Sequence, residues 1–136
     1  MEIIDTMSQP RFLDIPTFMR LPYLPYQGGY YDIDIGLVGV PYDGAVTNRP
    51  GARHGPRAVR DASSLMRMIN TATGVNPFNG LNVHDIGDVY PDKPFNIEEA
   101  LESMAEKFKD IHENGIVPLS CGGDHSISLA VLRGIA

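Results

Sequence analysis

Three apolar runs of strand length alternate with three stretches of helical period, and that alternation most constrains the fold. The runs are Ile33 to Val40, Leu81 to Ile86 and Ile116 to Leu119. The first carries Ile33, Ile35, Leu37, Val38 and Val40, a near-continuous apolar pattern that suits a strand covered on both faces. Strand, helix, strand, helix, strand, helix is the order of parallel strands joined by right-handed crossovers, so the fold class is α/β with a parallel sheet. The first helix is expected to start at Gly55-Pro56, with Pro56 at its first position. Its apolar face would hold Ala58, Val59, Ala62, Leu65, Met66 and Ile69. Asn96 followed by Glu99 reads as a capping box for the second helix. Ile97, Leu101, Met104, Phe108 and Ile111 then repeat at helical spacing, and Gly115 falls at the stop position. Ser126 opens the third helix, which runs to Ile135.

Residues 1–31 read as an N-terminal arm, because Pro10, Pro16, Pro22 and Pro25 block long helices. The stretch from Phe12 to Tyr23 is too apolar for a free tail and is expected to pack on this domain or on a neighbouring subunit. Met7 offers an alternative start. Residues 32–136 read as part of an α/β domain. A three-stranded parallel sheet alone would leave both edges open, so the sequence reads as the first part of a larger domain.

Net charge is −6 over 136 residues, which argues against nucleic acid or an anionic membrane as partner. A single cysteine rules out an intrachain disulfide and fits a reducing, cytoplasmic setting. The N-terminus lacks a signal-peptide core, and no apolar run approaches the length of a membrane span.

The residues that could carry chemistry cluster where the strands end. Ser120-Cys121-Gly122-Gly123-Asp124-His125-Ser126 reads as a strand end, a tight glycine turn and a helix start. Ligands sit at the carboxyl ends of strands in open parallel sheets. Asp124 and His125 would project there, and a carboxylate beside an imidazole suits a divalent metal; a helix cap beside a surface histidine is the blander reading. Asn48 to Arg57 follows the first strand with three arginines and a histidine. That loop could line a pocket or hold an anion at the following helix N-terminus, or could be a crossover loop whose arginines pair with carboxylates. His84, Asp85 and Asp88 could ligate a metal, although loops held by Asp side chains on backbone amides are commoner. Cys121 could be a nucleophile with His125 as base, but a cysteine on an apolar strand more often packs as a small hydrophobe. His112 reads as a surface residue near a helix end.

Taken together, four segments resemble the ureohydrolase family of arginases, agmatinases and guanidino-acid hydrolases. They are Gly39-Val40-Pro41-Tyr42-Asp43-Gly44, Thr47-Asn48-Arg49-Pro50-Gly51-Ala52-Arg53-His54-Gly55-Pro56-Arg57, Asp85-Ile86-Gly87-Asp88 and Gly122-Gly123-Asp124-His125-Ser126. The second points to the agmatinase-like branch, and Ile15 to Pro22 in the arm looks like guanidinopropionase and guanidinobutyrase relatives. The resemblance implies the N-terminal portion of a three-layer α/β/α arginase-like domain. It implies manganese-dependent hydrolysis of a guanidino compound to urea and an amine or amino acid. The substrate would be agmatine or a guanidino acid such as guanidinobutyrate or guanidinopropionate. Two Mn2+ ions bridged by hydroxide are expected in a complete member, the hydroxide attacking the guanidinium carbon.

Within this chain the resemblance makes His125 a metal ligand and Asp124 a supporting residue. Asn48, Arg53 and His54 would lie in a loop at the pocket mouth. It also implies a homo-oligomer for the complete protein. The family's other ligands come from an Asp-x-His-x-Asp segment and a later Asp-x-Asp segment, and neither follows His125 here. No residue of this chain is therefore assigned the catalytic role. The alternative is a truncated non-catalytic fragment or interaction module lacking most metal ligands; a metal-free α/β binding module is a third reading.

Overall fold

The computed structural model describes residues 9–136; Met7 and the rest of the first eight residues lie outside them. Strands β1 (Ile35–Val40), β2 (Val83–Asp88) and β3 (Val117–Gly122) form one parallel sheet in the order β2-β1-β3. Helices α1 (Gly55–Ser63), α2 (Ile97–Glu113) and α3 (Ile127–Ile135) follow the strands in turn. Short 3-10 turns occupy Phe18–Arg20 and Ala52–His54. Alternate residues of β1 feed two cores, as the period of a strand requires. Val38 and Val40 pack with Met104, Phe108 and Ile111 of α2 and Ala130 of α3. Leu37 faces the other way and packs with Phe18, Phe78 and Val83. Burial on both faces is why β1 reads as a near-continuous apolar run.

The strands sit slightly later than their apolar runs. Asp34 and Ile35 both donate to the Asn82 carbonyl, so regular pairing begins at Ile35 rather than Ile33. Ser120, Cys121 and Gly122 are still strand, and the turn begins at Gly123.

Helix α1 overturns the expected apolar face. Val59, Leu65, Met66 and Ile69 are exposed, as are Ala58 and Ala62. The inward stripe is Pro56, Arg60 and Ser63, which share one face at helical spacing. Arg60 turns inward because Asp85 and Asp88 meet it there. The Ser63 hydroxyl accepts from the Met19 amide at 2.8 Å and donates back to the Arg60 carbonyl at 3.1 Å. Such back-bonding competes with helix continuation, and α1 stops at Ser63. Leu65, Met66 and Ile69 therefore never join its face.

Helix α2 keeps most of its expected features. Asn96 Oδ1 accepts from the Glu98 and Glu99 amides at 3.1 and 3.3 Å. The return bond of the capping box runs instead from the Asn96 side-chain amide to Glu99 Oε1 at 2.8 Å. Leu101, Met104, Phe108 and Ile111 are buried with Ala100, whereas Ile97 is 42% exposed and does not belong to the inner face. At the far end the Gly115 amide donates to His112 and the Ile116 amide to Ile111, with Gly115 at φ 83°. That pair of bonds is a Schellman stop, which needs a left-handed residue.

The arm changes the expectation of two open sheet edges. The Asp85 amide donates to the Pro22 carbonyl, and the Leu24 and Tyr26 amides donate to Asp85 and Ile86, all at 2.9–3.0 Å. Residues 22–26 thus run along the outer edge of β2 as a partner segment. Phe18 and Leu21 bury beneath the sheet, while Phe12 and Ile15 stay exposed. The Tyr26 hydroxyl donates to Asp110 at 2.9 Å and ties the arm to α2. Burial, then the bond to Asp110, pushes the Tyr26 phenol up to about 12. The β3 edge is open, with Val117 and Leu119 58% and 56% exposed. Among the described residues no helix is long and apolar enough to cross a membrane.

Candidate functional site

The carboxyl ends of β1 and β3 converge on two loops, residues 41–54 and 123–126. Asp43 organises the first. Its carboxylate is fully buried and accepts from the Gly51 amide at 2.8 Å and the Arg53 amide at 3.2 Å. The Arg53 guanidinium adds Nε at 2.6 Å and Nη2 at 2.5 Å. The Arg53 bond, with the two backbone amides behind it, outweighs burial and holds the Asp43 carboxyl well below the usual carboxylate range. A long proline- and glycine-rich loop is thereby closed around one charged oxygen pair.

Asp124 does the same for the second loop. Its Oδ1 accepts from the Ser126 amide at 2.8 Å and from the Ser126 hydroxyl at 2.5 Å. Its Oδ2 accepts from the Ala45 amide at 2.8 Å, and its own amide donates to the Tyr42 carbonyl at 2.9 Å. Asp124, rather than Ser126, thus holds the start of α3; Ser126 makes no side-chain cap bond. Burial first, then the Asp124 charge, raises the Tyr42 phenol above its ordinary value.

Gly123 sits at φ +86°, and a Cβ there would meet the Val40 and Tyr42 carbonyls at 2.5 and 2.6 Å. Only glycine satisfies both the left-handed backbone and the close approach. On the other side a Cβ on Gly55 would lie 2.7 Å from the Gly122 carbonyl. The start of α1 is therefore pressed against the turn that carries His125.

His125 leaves this turn toward solvent, and among the described residues its side chain has no hydrogen-bond partner. It is thus available as a donor, while both Asp124 oxygens are already engaged. Among the described residues no group of three or more His, Cys, Asp or Glu side chains could hold a metal ion. One imidazole does not hold a hard divalent cation, so this chain's residues alone do not make a manganese site.

The other candidates separate. Asp85 is fully buried and accepts from Arg60 Nε and Nη2 at 2.8 and 2.9 Å and from the Phe18 and Gly87 amides at 3.0 Å. Asp88 accepts from Arg60 Nη1 at 2.7 Å. The Asp85-Ile86-Gly87-Asp88 motif therefore locks α1 and the arm onto β2. His84 is not gathered with these carboxylates into a metal-binding group. Among the described residues its Nδ1 is buried without a partner, and burial lowers its pKa. Cys121 packs beside the Leu37 cluster, and burial pushes its thiol up, away from nucleophile character. His112 is exposed in the last turn of α2.

Arg53 lines a cavity of 360 Å³ with Tyr42, Asp43, Tyr90, Phe95 and Ile97. Asn48 and His54 are exposed and do not line it. Arg53 borders this cavity paired with the Asp43 carboxylate. Asp43 and Arg60 were not singled out beforehand. Asp43 lay inside a quoted motif, whereas Arg60 carried no signal beyond its charge.

A parallel α/β domain whose strand-end loops carry the exposed imidazoles of His54 and His125 is the class that fold and site define. The chain belongs to the arginase family, matched over residues 33–136. It is 42% identical over 132 residues to a guanidinopropionase of Pseudomonas aeruginosa, covering 97% of this chain and 40% of that protein. It is similar to the solved proclavaminate amidino hydrolase from Streptomyces clavuligerus, with a TM-score of 0.82 and 38% identity over 93% of this chain and 40% of the other. A Trypanosoma cruzi formiminoglutamase solved with Mn2+ has a TM-score of 0.66 and 30% identity, covering 89% of this chain and 40% of that one. The chain spans about 40% of the length of the curated relatives first matched.

Proposed function

We propose that the complete protein is a manganese-dependent cytoplasmic ureohydrolase that releases urea from a guanidino compound, agmatine or a guanidino acid. The observation that carries this reading is His125, unpaired and held in a turn fixed by Asp124 and Gly123 at the strand ends. Its imidazole supplies one metal ligand, and the remaining ligands come from residues outside this chain. The relatives favour the guanidino-acid class, since a guanidinopropionase is 42% identical. Manganese dependence is supported by the Mn2+-containing formiminoglutamase among the similar structures. When bound, such metals acidify and aim an attacking water. This chain's own part is to present His125, through the two carboxylate-stitched loops, in a fixed place. The complete protein is further proposed to assemble as a homo-oligomer, with exposed Phe12 and Ile15 of the arm suited to a subunit contact.

The test is urea release by the complete polypeptide from guanidinopropionate, guanidinobutyrate and agmatine, with and without added manganese. His125→Ala should lower turnover ~100-fold or more and reduce bound manganese, while His112→Ala changes neither. Equal activity and metal content in the two variants would remove His125 from the site.

A further inference from the structure

The loop of residues 41–54 and the first residue of α1 meet the segment from Gly122 to Ser126 at three points. Ala45 donates to Asp124, Tyr42 accepts from the Asp124 amide, and Gly55 abuts the Gly122 carbonyl. None of these contacts involves Asp43. The Asp43 carboxylate instead ties the two ends of the loop together, gathering donors that lie eight and ten residues further along the chain. Two of those donors, the Gly51 and Arg53 amides, belong to the stretch that delivers the chain to Gly55. Without a buried acceptor there, a loop carrying Gly44, Pro50 and Gly51 has little else to fix its path.

We infer that Asp43 is a positioning residue, whose carboxylate sets the β1 loop as the buttress against which the His125 turn is held. It acts through Ala45, Gly55 and Asp124, and does not touch the imidazole. Arg53 is the second half of the device. Its guanidinium is 54% exposed and lines the 360 Å³ cavity beside Tyr90 and Phe95. Paired with Asp43 it presents no net charge to that cavity. Unpaired, it would put an uncompensated cation at the edge of that cavity. The assignment of a role in turnover rests on the proposed ureohydrolase reading; the mechanical link between Asp43 and the turn does not.

The experiment compares Asp43→Asn, Arg53→Gln and the double variant in the complete polypeptide with wild type. Amide hydrogen exchange is followed at Ala45, Gly51 and Ser126, and at Leu37 and Val38 in the sheet, alongside urea release. In Asp43→Asn, exchange at Ala45 and Ser126 should rise ~10-fold while Leu37 and Val38 stay at wild-type rates. Turnover should fall ~10-fold in Asp43→Asn and in the double variant alike. Lys109→Met, far along α2, should leave every readout unchanged. Uniform acceleration of exchange across the sheet would make Asp43 a general stability residue and overturn the inference. So would an unchanged Ser126 amide. If Asp43→Asn does not fold, Asp43→Glu, which keeps the charge but displaces it from the Gly51 and Arg53 amides, carries the same comparison. Failure of both to fold would likewise overturn a positioning role. A wild-type protein that releases no urea, yet shows the loosened turn in Asp43→Asn, would refute the functional reading and leave the mechanical link standing.

Discussion

Replacing Asp85 by alanine should loosen the arm more than any other single change in the β2 motif. Its carboxylate has no exposure and receives two bonds from Arg60 and one each from the Phe18 and Gly87 amides. Arg60 also lies over the Phe18 ring, 4.2 Å from its centroid. Burial works against the Arg60 charge, but its bonds to Asp85 and Asp88 more than offset this and raise its pKa. Breaking a buried ion pair by deleting one member costs about 3–5 kcal/mol in overall stability, because the survivor stays desolvated. Local release of the arm draws on only part of that network. It breaks the Phe18 amide bond to a charged acceptor, worth about 1.5–3 kcal/mol. At 1.4 kcal/mol per factor of ten, the open population should grow ~10- to ~100-fold. Arg20 reports on it, since its Nε and Nη1 are buried in the closed arm. The assay is limited trypsin cleavage after Arg20 in the complete protein, at protease concentrations where cleavage tracks the open population. Asp88→Asn is the control. Asp88 is 43% exposed, so its pairing with Arg60 is worth only about 0–1 kcal/mol. Cleavage of Asp85→Ala at the rate of wild type or of Asp88→Asn would refute the claim that Asp85 latches the arm.

Further outcomes follow from the same geometry. Gly123→Ala should destabilise the protein by about 1–3 kcal/mol in chemical denaturation, because the new Cβ meets two backbone carbonyls and the left-handed φ is retained. Asn96→Ala should cost about 1 kcal/mol by the same measurement through loss of the α2 cap, and should leave urea release unchanged. The folded Asp43 carboxyl lies below its ordinary value of 3.8, so its contribution to stability is complete above that pH and is lost as pH falls through the folded value. Exchange at the Gly51 amide should therefore remain slow when the medium is brought to pH 4, and accelerate only further below; protection that vanishes near pH 5 would contradict it.

The sequence carried the order of strands and helices because both periods are written in apolar residues. Val38, Val40 and Leu37 could be assigned to opposite faces, and Gly115 to a helix stop, from pattern alone. Helix α1 defeated that method. Its inward positions are Pro56, Arg60 and Ser63, so a polar stripe faces the sheet and the apolar residues face out. An apolar-moment argument cannot find a helix that is anchored by an ion pair. The arm's pairing with β2 was equally hidden, since proline-broken backbone pairs through carbonyls and amides that leave no side-chain signature. The glycine turn that carries Asp124 and His125 was legible as a strand end and helix start. Asp43 was not, because its partners lie eight and ten residues away on a loop without regular structure.

The acidic residues at the strand ends share one physical role. Asp43, Asp85 and Asp124 each accept at least two backbone amides or an arginine, and each joins segments far apart in sequence. Carboxylates in such motifs invite reading as metal ligands, yet here their oxygens accept backbone amides and arginine. Here they build a platform: Asp85 fixes the arm and α1 to β2, Asp43 closes the β1 loop, and Asp124 ties that loop to the start of α3. Beside Asp124, the His125 imidazole is exposed and makes no side-chain bond among the described residues. In this turn the carboxylate is taken up by structure and the imidazole is not. It follows that changing any of the three aspartates should disturb several segments at once, whereas changing His125 should leave the fold intact and touch only what the imidazole binds.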